Sequence, residues 1–182
     1  MRRLLLFLTI YISPIFSNAQ IDQSEQHFTI KEIGWIFIIP QGFVVVDSSA
    51  HTIQPNPGTD VWLKQFIFKS DSNSLAFTIS KSTQKEVDWE NIHRKTDKFY
   101  YDQMRIRKPE IKFDSSSAIV MLDSQIFNKF TVIGRENGVV KYNHVQLNRF
   151  FKGYTIGISY NYINKENGVV IENALIGAKF VE

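Results

Sequence analysis

The 182-residue chain carries 21 Lys plus Arg against 18 Asp plus Glu, no Cys, and an aromatic complement of 3 Trp, 7 Tyr and 15 Phe. Without cysteine there is no disulfide framework, no thiolate nucleophile and no thioether-linked lipid. The charge balance excludes a strongly basic chain that gathers nucleic acid or anionic lipid around itself.

The first twenty residues, MRRLLLFLTIYISPIFSNAQ, have the order of a secretory signal. Arg2 and Arg3 supply the charged start, residues 4–12 the apolar segment, and Ser17, Asn18 and Ala19 a small-residue cleavage site. The apolar segment is shorter than the roughly 20 residues a bilayer crossing needs. Cleavage after Ala19 is expected, placing the mature chain in the periplasm or outside the cell with no transmembrane anchor. Removal of Arg2 and Arg3 leaves 19 basic against 18 acidic side chains. Absence of cysteine in an exported chain of this size fits a bacterial protein better than a small extracellular animal one. The expected organisation is a signal over residues 1–19, a polar, flexible lead-in over 20–27 and one globular domain over 28–182.

In chain order, a short strand is expected from Phe28 to Ile30, and a second over WIFII, from Trp35 to Ile39, because branched and aromatic side chains pack well on a pleated surface. Pro40 and Gly42 interrupt the run, and extended structure resumes from Phe43 to Val46. Residues 47–59, rich in Ser, Asn, Pro and Gly, read as a loop. Trp62, Phe66 and Phe68 share one face of the next strand, and Leu75 to Ile79 is its partner across a turn over 69–74. Residues 88–108 read as an amphipathic helix with a stripe of Trp89, Ile92, Thr96, Phe99 and Gln103, widened by Tyr100 and Met104. Asp88 is placed to cap it, basic residues suit its C-terminal end, and Pro109 stops it. Glu90 and Arg94 form a solubilising i,i+4 pair.

Residues 118–122, 127–134, 139–150 and 154–163 follow as strands. In the last, Tyr154, Ile156, Ile158, Tyr160 and Tyr162 face one way, with a turn at Phe151, Lys152 and Gly153 before it. The pentapeptide ENGVV occurs at 136–140 and again at 166–170; each copy reads as an Asn-Gly turn beside an apolar element. A second helix is expected near 169–180, with Ile171, Ala174, Leu175 and Ala178 on its apolar side.

Two segments, WIFIIPQGF at 35–43 and KGYTIGISYNYINKENGVVIENALIGAKF at 152–180, resemble the PsbP-like and Ran-binding import factor superfamily. The likeness covers residues 28–181. It implies an α+β fold, an α-β-α sandwich with a mainly antiparallel central sheet, and a binding or accessory role without a transferable site.

The four histidines, His27, His51, His93 and His144, form no metal-ligand spacing, so neither a metal nor a cofactor is expected. His93 and Asp97, one helical turn apart, could orient an imidazole for base chemistry, but an exposed helix pair is the commoner explanation. Asp114, Ser115, Ser116 and Ser117 read as a turn rather than a nucleophile site. Arg105, Arg107, Lys108 and Lys112 form a basic cluster after Tyr100 and Tyr101, suited either to a helix end or to an anionic surface. No catalytic residue is assigned. The sequence points to an exported, noncatalytic domain that binds an envelope or extracellular protein, with Trp35, Phe43, Trp62, Tyr100, Tyr101 and Tyr142 as the aromatic candidates for contact. The alternatives are a carrier of a small apolar ligand, and a hydrolase using His93 or His144.

Overall fold

The computed structural model describes residues 26–56, 59–71, 73–81 and 86–181, with the side chains of 49–63 and 86–92 outside that description. Ten strands and two helices follow one another among these residues: β1 (His27–Ile30), β2 (Trp35–Ile38), β3 (Val44–Asn56), β4 (Thr59–Ser70), β5 (Asn73–Lys81), α1 (Glu86–Arg107), β6 (Lys112–Leu122), β7 (Gln125–Glu136), β8 (Val139–Phe151), β9 (Tyr154–Tyr162), α2 (Lys165–Ile176) and β10 (Lys179–Phe180). Seven strands form one antiparallel sheet in the order β3-β4-β5-β9-β8-β7-β6, and β1, β2 and β10 form a small second sheet. This is an α+β fold, mostly antiparallel sheet with two helices.

Strict alternation in the central strands divides the large sheet into two faces. On one, Phe66, Phe68, Leu75, Phe77, Ile79, Leu147, Ile156, Ile158 and Tyr160 are buried beneath the small sheet and α2. Trp35, fully buried, stacks on Phe180 at 5.3 Å and meets Phe77 edge to face at 5.2 Å. Phe37 continues the packing against Phe68 and Phe77 at 5.4 and 4.7 Å. Apart from the Trp35–Phe180 stack, these ring contacts have the tilted and edge-on geometry favoured by aromatic quadrupoles. Phe43 is 8% exposed and belongs to the same cluster.

The α2 helix is tied to this face by polar contacts at its edge. Glu172 accepts from Tyr160 Oη at 2.9 Å and pairs with Lys129 Nζ at 2.8 Å. Ile171 and Leu175 face the core, and Ala178 follows them beyond the helix. The opposite face carries Phe113, Phe130 and Val132, covered by α1 through Tyr100, Tyr101 and Met104. No helix among the described residues is long and apolar enough to cross a membrane.

Several sequence expectations are corrected. Residues 47–56 are strand rather than loop, because β3 finds a partner along β4 and closes a long hairpin. Residues 114–117 are the middle of β6, paired with β7 from Lys112 to Leu122. The helix near 88–108 begins at Glu86 and ends at Arg107, so Asp88 lies inside it. The C-terminal helix near 169–180 occupies Lys165–Ile176, and Lys179–Phe180 is a strand on β2. The first Asn-Gly pair is a turn, with Asn137 and Gly138 both at positive φ. The second is not: Asn164 caps α2 by accepting from Asn167 N at 2.9 Å, and Gly168 is helical, with Tyr162 so close that a Cβ would meet its ring at 2.8 Å.

The stripe assigned to α1 is also displaced. Phe99 is 64% exposed and Thr96 faces water, whereas His93 is buried and Asp97, Tyr100 and Met104 are shielded. Residues 93, 97, 100 and 104 obey the same helical period as the expected set, but two of them are polar, and tertiary packing chose this face. Trp89 and Ile92 lie outside the described side chains.

Two glycines separate backbone freedom from available space. Gly34 has φ 65°, and a Cβ there would overlap the carbonyl oxygen of Val181, whose amide donates to Gly34 O at 2.6 Å. Gly138 has φ 79°, with nothing within 4 Å of the place a Cβ would take. In denaturant unfolding, Gly34→Ala is expected to cost about 3 kcal/mol or more, and Gly138→Ala only about 1 kcal/mol. Equal costs would mean that the closure of β10 over Gly34 does not contribute to stability.

Candidate functional site

The last turns of α1 project Tyr100, Tyr101, Met104 and Arg105 toward the start of β6 and the near end of β8. Pro109 lacks an amide donor and follows the last helical turn. The chain reverses through Lys108 N donating to Met104 O and Ile111 N donating to Lys108 O, each at 3.1 Å. Phe113 then lies across from Gly134, which faces Tyr142 in β8. A Cβ on Gly134 would meet Ile111 and Phe113 at 2.8 Å, so this glycine leaves room for the Phe113 ring.

Hydrogen bonds from three phenols hold the constellation. Tyr101 Oη donates to Phe113 O at 2.8 Å, and the Tyr100 and Tyr142 hydroxyls are 2.8 Å apart. Burial lifts the Tyr142 phenol far above its ordinary range, and its hydrogen bond to Tyr100 adds to the effect. Burial raises Tyr100 as well, opposed in part by the same hydrogen bond. Both phenols therefore stay neutral at any physiological pH. His144 packs against both rings, 4.8 Å from Tyr100 and 6.1 Å from Tyr142, with Nδ1 2.9 Å from Asn161 Oδ1. Burial lowers its pKa, partly offset by Asn161. His144 is a neutral packing residue under α1.

Outside this neutral base the surface becomes cationic. Arg105 lies over the Tyr101 ring at 5.8 Å and Lys108 over the Tyr142 ring at 5.7 Å, in range for cation–π attraction. A cleft of about 870 Å³ opens here, lined by Tyr101, Arg105, Ile106, Ile111, Lys112 and Phe113 among others. Ile106 is 70% exposed on its rim. Asp102 also borders the cleft, but its carboxylate is engaged by Lys98 at 2.6 Å. Neither Arg105 nor Lys112 meets a carboxylate among the described residues. The arrangement offers apolar surface, aromatic faces and unmatched positive charge, which is the chemistry of binding an anionic group with an apolar neighbour.

Of the aromatic candidates, Tyr100, Tyr101 and Tyr142 are gathered at this site, with Tyr101 on the cleft wall and the other two forming its support. Trp35 and Phe43 lie in the core on the other side of the sheet, and the side chain of Trp62 lies outside the description. Phe113 and Ile106 were not singled out in the sequence. Phe113 sits immediately before a polar Ser run that masks its strand, and Ile106 stands among basic residues at a helix end.

A second cleft of about 410 Å³ lies farther along α1, lined by His93, Arg94, Asp97, Ser117, Ile119, Asn128 and Lys129, among others. His93 Nε2 approaches Asp97 Oδ2 at 3.3 Å. An ion pair would lower the carboxyl pKa and raise the imidazole, yet burial moves both the other way: Asp97 is pushed up to about 6 and His93 is lowered. At neutral pH the contact therefore joins an uncharged imidazole to a poorly solvated carboxylate. Such a pair could exchange a proton, but two groups that share a proton do not by themselves make a hydrolytic site. Among the described residues no group of three or more His, Asp or Glu side chains is placed to hold a metal.

The Asp97 shift has a definite sign. Its folded pKa lies above the ordinary 3.8, so the folded state holds the extra proton and loses stability as pH rises from about 4 through 6. Asp97→Asn removes the buried charge and is expected to stabilise the fold at pH 8, on the order of 2 kcal/mol, with the gain vanishing near pH 4. Because His93 Nε2 lies 3.3 Å from Asp97, its titration is coupled to the substitution, and the comparison is made in a His93→Gln background. Urea unfolding at both pH values checks this; an Asn variant less stable at pH 8 would show that the carboxylate is favourably paired.

No protein-family model and no curated protein sequence matches the chain. Solved structures do. Cyanobacterial PsbP (CyanoP) from Synechocystis sp. PCC 6803 aligns over 93% of this chain and 100% of its own, with TM-score 0.55 and 12% identity. LpqN of Mycobacterium tuberculosis, described as involved in cell envelope biogenesis, aligns over 87% of this chain and 91% of its own, with TM-score 0.43 and 10% identity. The resemblance carried by the WIFIIPQGF segment and the C-terminal strand-helix segment thus holds at the level of architecture, and the chain has a PsbP-like fold.

Proposed function

We propose that this chain is an exported, noncatalytic accessory domain that binds a protein partner through the cleft between the C-terminal end of α1 and the start of β6. The observation that carries this reading is the placement of Arg105 and Lys112 beside Tyr101, Phe113 and Ile106 in one open cleft. Arginine and tyrosine concentrate binding energy at interfaces because each combines a large contact area with directed polar groups. The supporting phenols Tyr100 and Tyr142 are satisfied by each other, which ties to β8 the helix that carries Tyr101 and Arg105 to the cleft wall. Ligand binding then need not order the tyrosines, which reduces its entropic cost.

Export rests on the signal-like leader, and the partner is accordingly an envelope or extracellular protein. A carrier cavity belongs between the sheet and α1, and that space is occupied by Tyr100, Tyr101 and Met104 packed on Phe113, Phe130 and Val132. His144, buried and bonded to Asn161, is poorly placed for a hydrolytic base.

Two measurements test the proposal. The exported protein should have a denatured mass corresponding to Gln20–Glu182; an intact leader would remove the localisation argument. Immobilised wild-type protein, exposed to the exported fraction of its own host, should retain a partner that crosslinks near Tyr101. Retention should fall at least tenfold with Arg105→Glu or Tyr101→Ala, a change of about 1.4 kcal/mol. Circular dichroism and unfolding should remain near wild type for the exposed Arg105 variant. Undiminished retention in both variants would overturn the site.

A further inference from the structure

The edges of the seven-stranded sheet are unlike each other. β3, at one edge, is interrupted by two register shifts against β4. β6, at the other, runs in unbroken register with β7 from Lys112 to Leu122 and contains neither proline nor a bulge. Bulges, prolines and charged side chains are the usual means of preventing an edge from pairing with another chain, and the second half of β6 has none of them. Ile119 and Met121 are 72% and 66% exposed, and Ile126, paired with Met121, is 56% exposed. On its outer side the backbone of β6 has no strand partner among the described residues.

Both clefts open along this strand. Phe113 and Lys112 line the larger, while Ser117 and Ile119 line the smaller. Phe113, Ser117 and Ile119 share a face by strand alternation. From Phe113 to Ile119 the strand advances roughly 20 Å. A single extended segment beside β6 would therefore pass both openings with alternate side chains directed toward them.

We propose that β6 receives an extended segment of the partner protein as an added antiparallel strand, with the acidic C-terminal end of that segment meeting Arg105 and Lys112. The inference rests on the binding reading above and specifies its recognition mode. Backbone hydrogen bonds along an open edge supply affinity, and pockets for alternate side chains supply selectivity. Antiparallel addition follows the pairing of every neighbouring strand and places the segment's C-terminal end beside Lys112. There Arg105, Arg107, Lys108 and Lys112 outnumber Asp102 and Glu110, and Asp102 is already held by Lys98. Toward Leu122 the exposed Ile119, Met121 and Ile126 favour apolar side chains at alternate positions. A second copy of this chain fits less well, because antiparallel pairing of β6 with itself sets Lys112 near the apolar Leu122 end and leaves the cationic cluster unmatched.

The test uses the full mature chain and a synthetic peptide, Thr-Val-Thr-Val-Thr-Val-Asp-Glu, with a free C-terminal carboxylate. Calorimetric titration should show saturable binding, weakened at least tenfold by Arg105→Glu, by Ile119→Lys combined with Met121→Lys, or by replacing the peptide's two acidic residues with lysine. Alternate N-methylation of the peptide backbone should weaken binding as much, and hydrogen exchange of residues 113–121 should slow in the complex. No binding, or binding without slowed exchange in β6, overturns the proposal. Loss of the natural partner with Arg105→Glu but not with Ile119→Lys/Met121→Lys would retain the cleft and reject strand addition; loss with neither would reject both. A concentration-dependent dimer abolished by Ile119→Lys would assign the edge to a second copy and also overturn the proposal.

Discussion

The docking of α1 onto the outer half of the sheet depends on the Tyr100–Tyr142 hydroxyl pair. At 2.8 Å the two phenols satisfy each other in a place where an unpaired hydroxyl would carry a desolvation cost. Both rings also contact His144, whose neutral state lets it pack as a flat, largely apolar plate. With α1 fixed at this point, Tyr101 reaches Phe113 O, and Arg105 is carried to the rim of the cleft. The site thus follows from one half-buried polar contact and the helical spacing that leads from it.

The opposite face is organised by exclusion of water rather than by hydrogen bonding. Trp35, Phe37, Phe68 and Phe77 form a contiguous aromatic cluster, and β10 closes it by placing Phe180 over Trp35. Asp123, in the turn between β6 and β7, accepts from Phe180 N at 2.7 Å and meets Lys179 Nζ at 3.3 Å. The backbone hydrogen bond is the main cause lowering its pKa. This contact links the closing strand to the β6–β7 hairpin. The edge that bears the clefts is therefore joined to the main core at its far end, while α1 holds it at the near end.

Much of this fold was legible where alternation and burial agree. In β9, Tyr154, Ile156, Ile158, Tyr160 and Tyr162 read as one face, and the three central residues are buried. Local signals failed where long-range pairing overrode them. Residues 47–56 have loop composition but acquire strand geometry from β4, and the Ser run of β6 does so from β7. On α1, His93 and Asp97 look solvent-facing by residue type, so the apolar stripe was assigned one position away. The tyrosines at the site were visible as a cluster in sequence, but the role of Phe113 required knowing that Gly134 and Tyr142 lie across from it.

Net charge alone gives little guide to such a site. The mature chain expected here has nearly equal numbers of acidic and basic side chains, so no long-range field of one sign surrounds it. Exposed charges are screened within about 8 Å at physiological ionic strength, and a surface cation by itself contributes little. Arg105 and Lys108 differ from isolated surface cations because they lie over tyrosine rings. The rings shield one side of each cation and limit its rotamers before a ligand arrives. The same aromatic contacts that hold the helix thus convert two ordinary helix-end cations into oriented groups, and fold stability and the proposed recognition at this end of the molecule draw on one set of side chains.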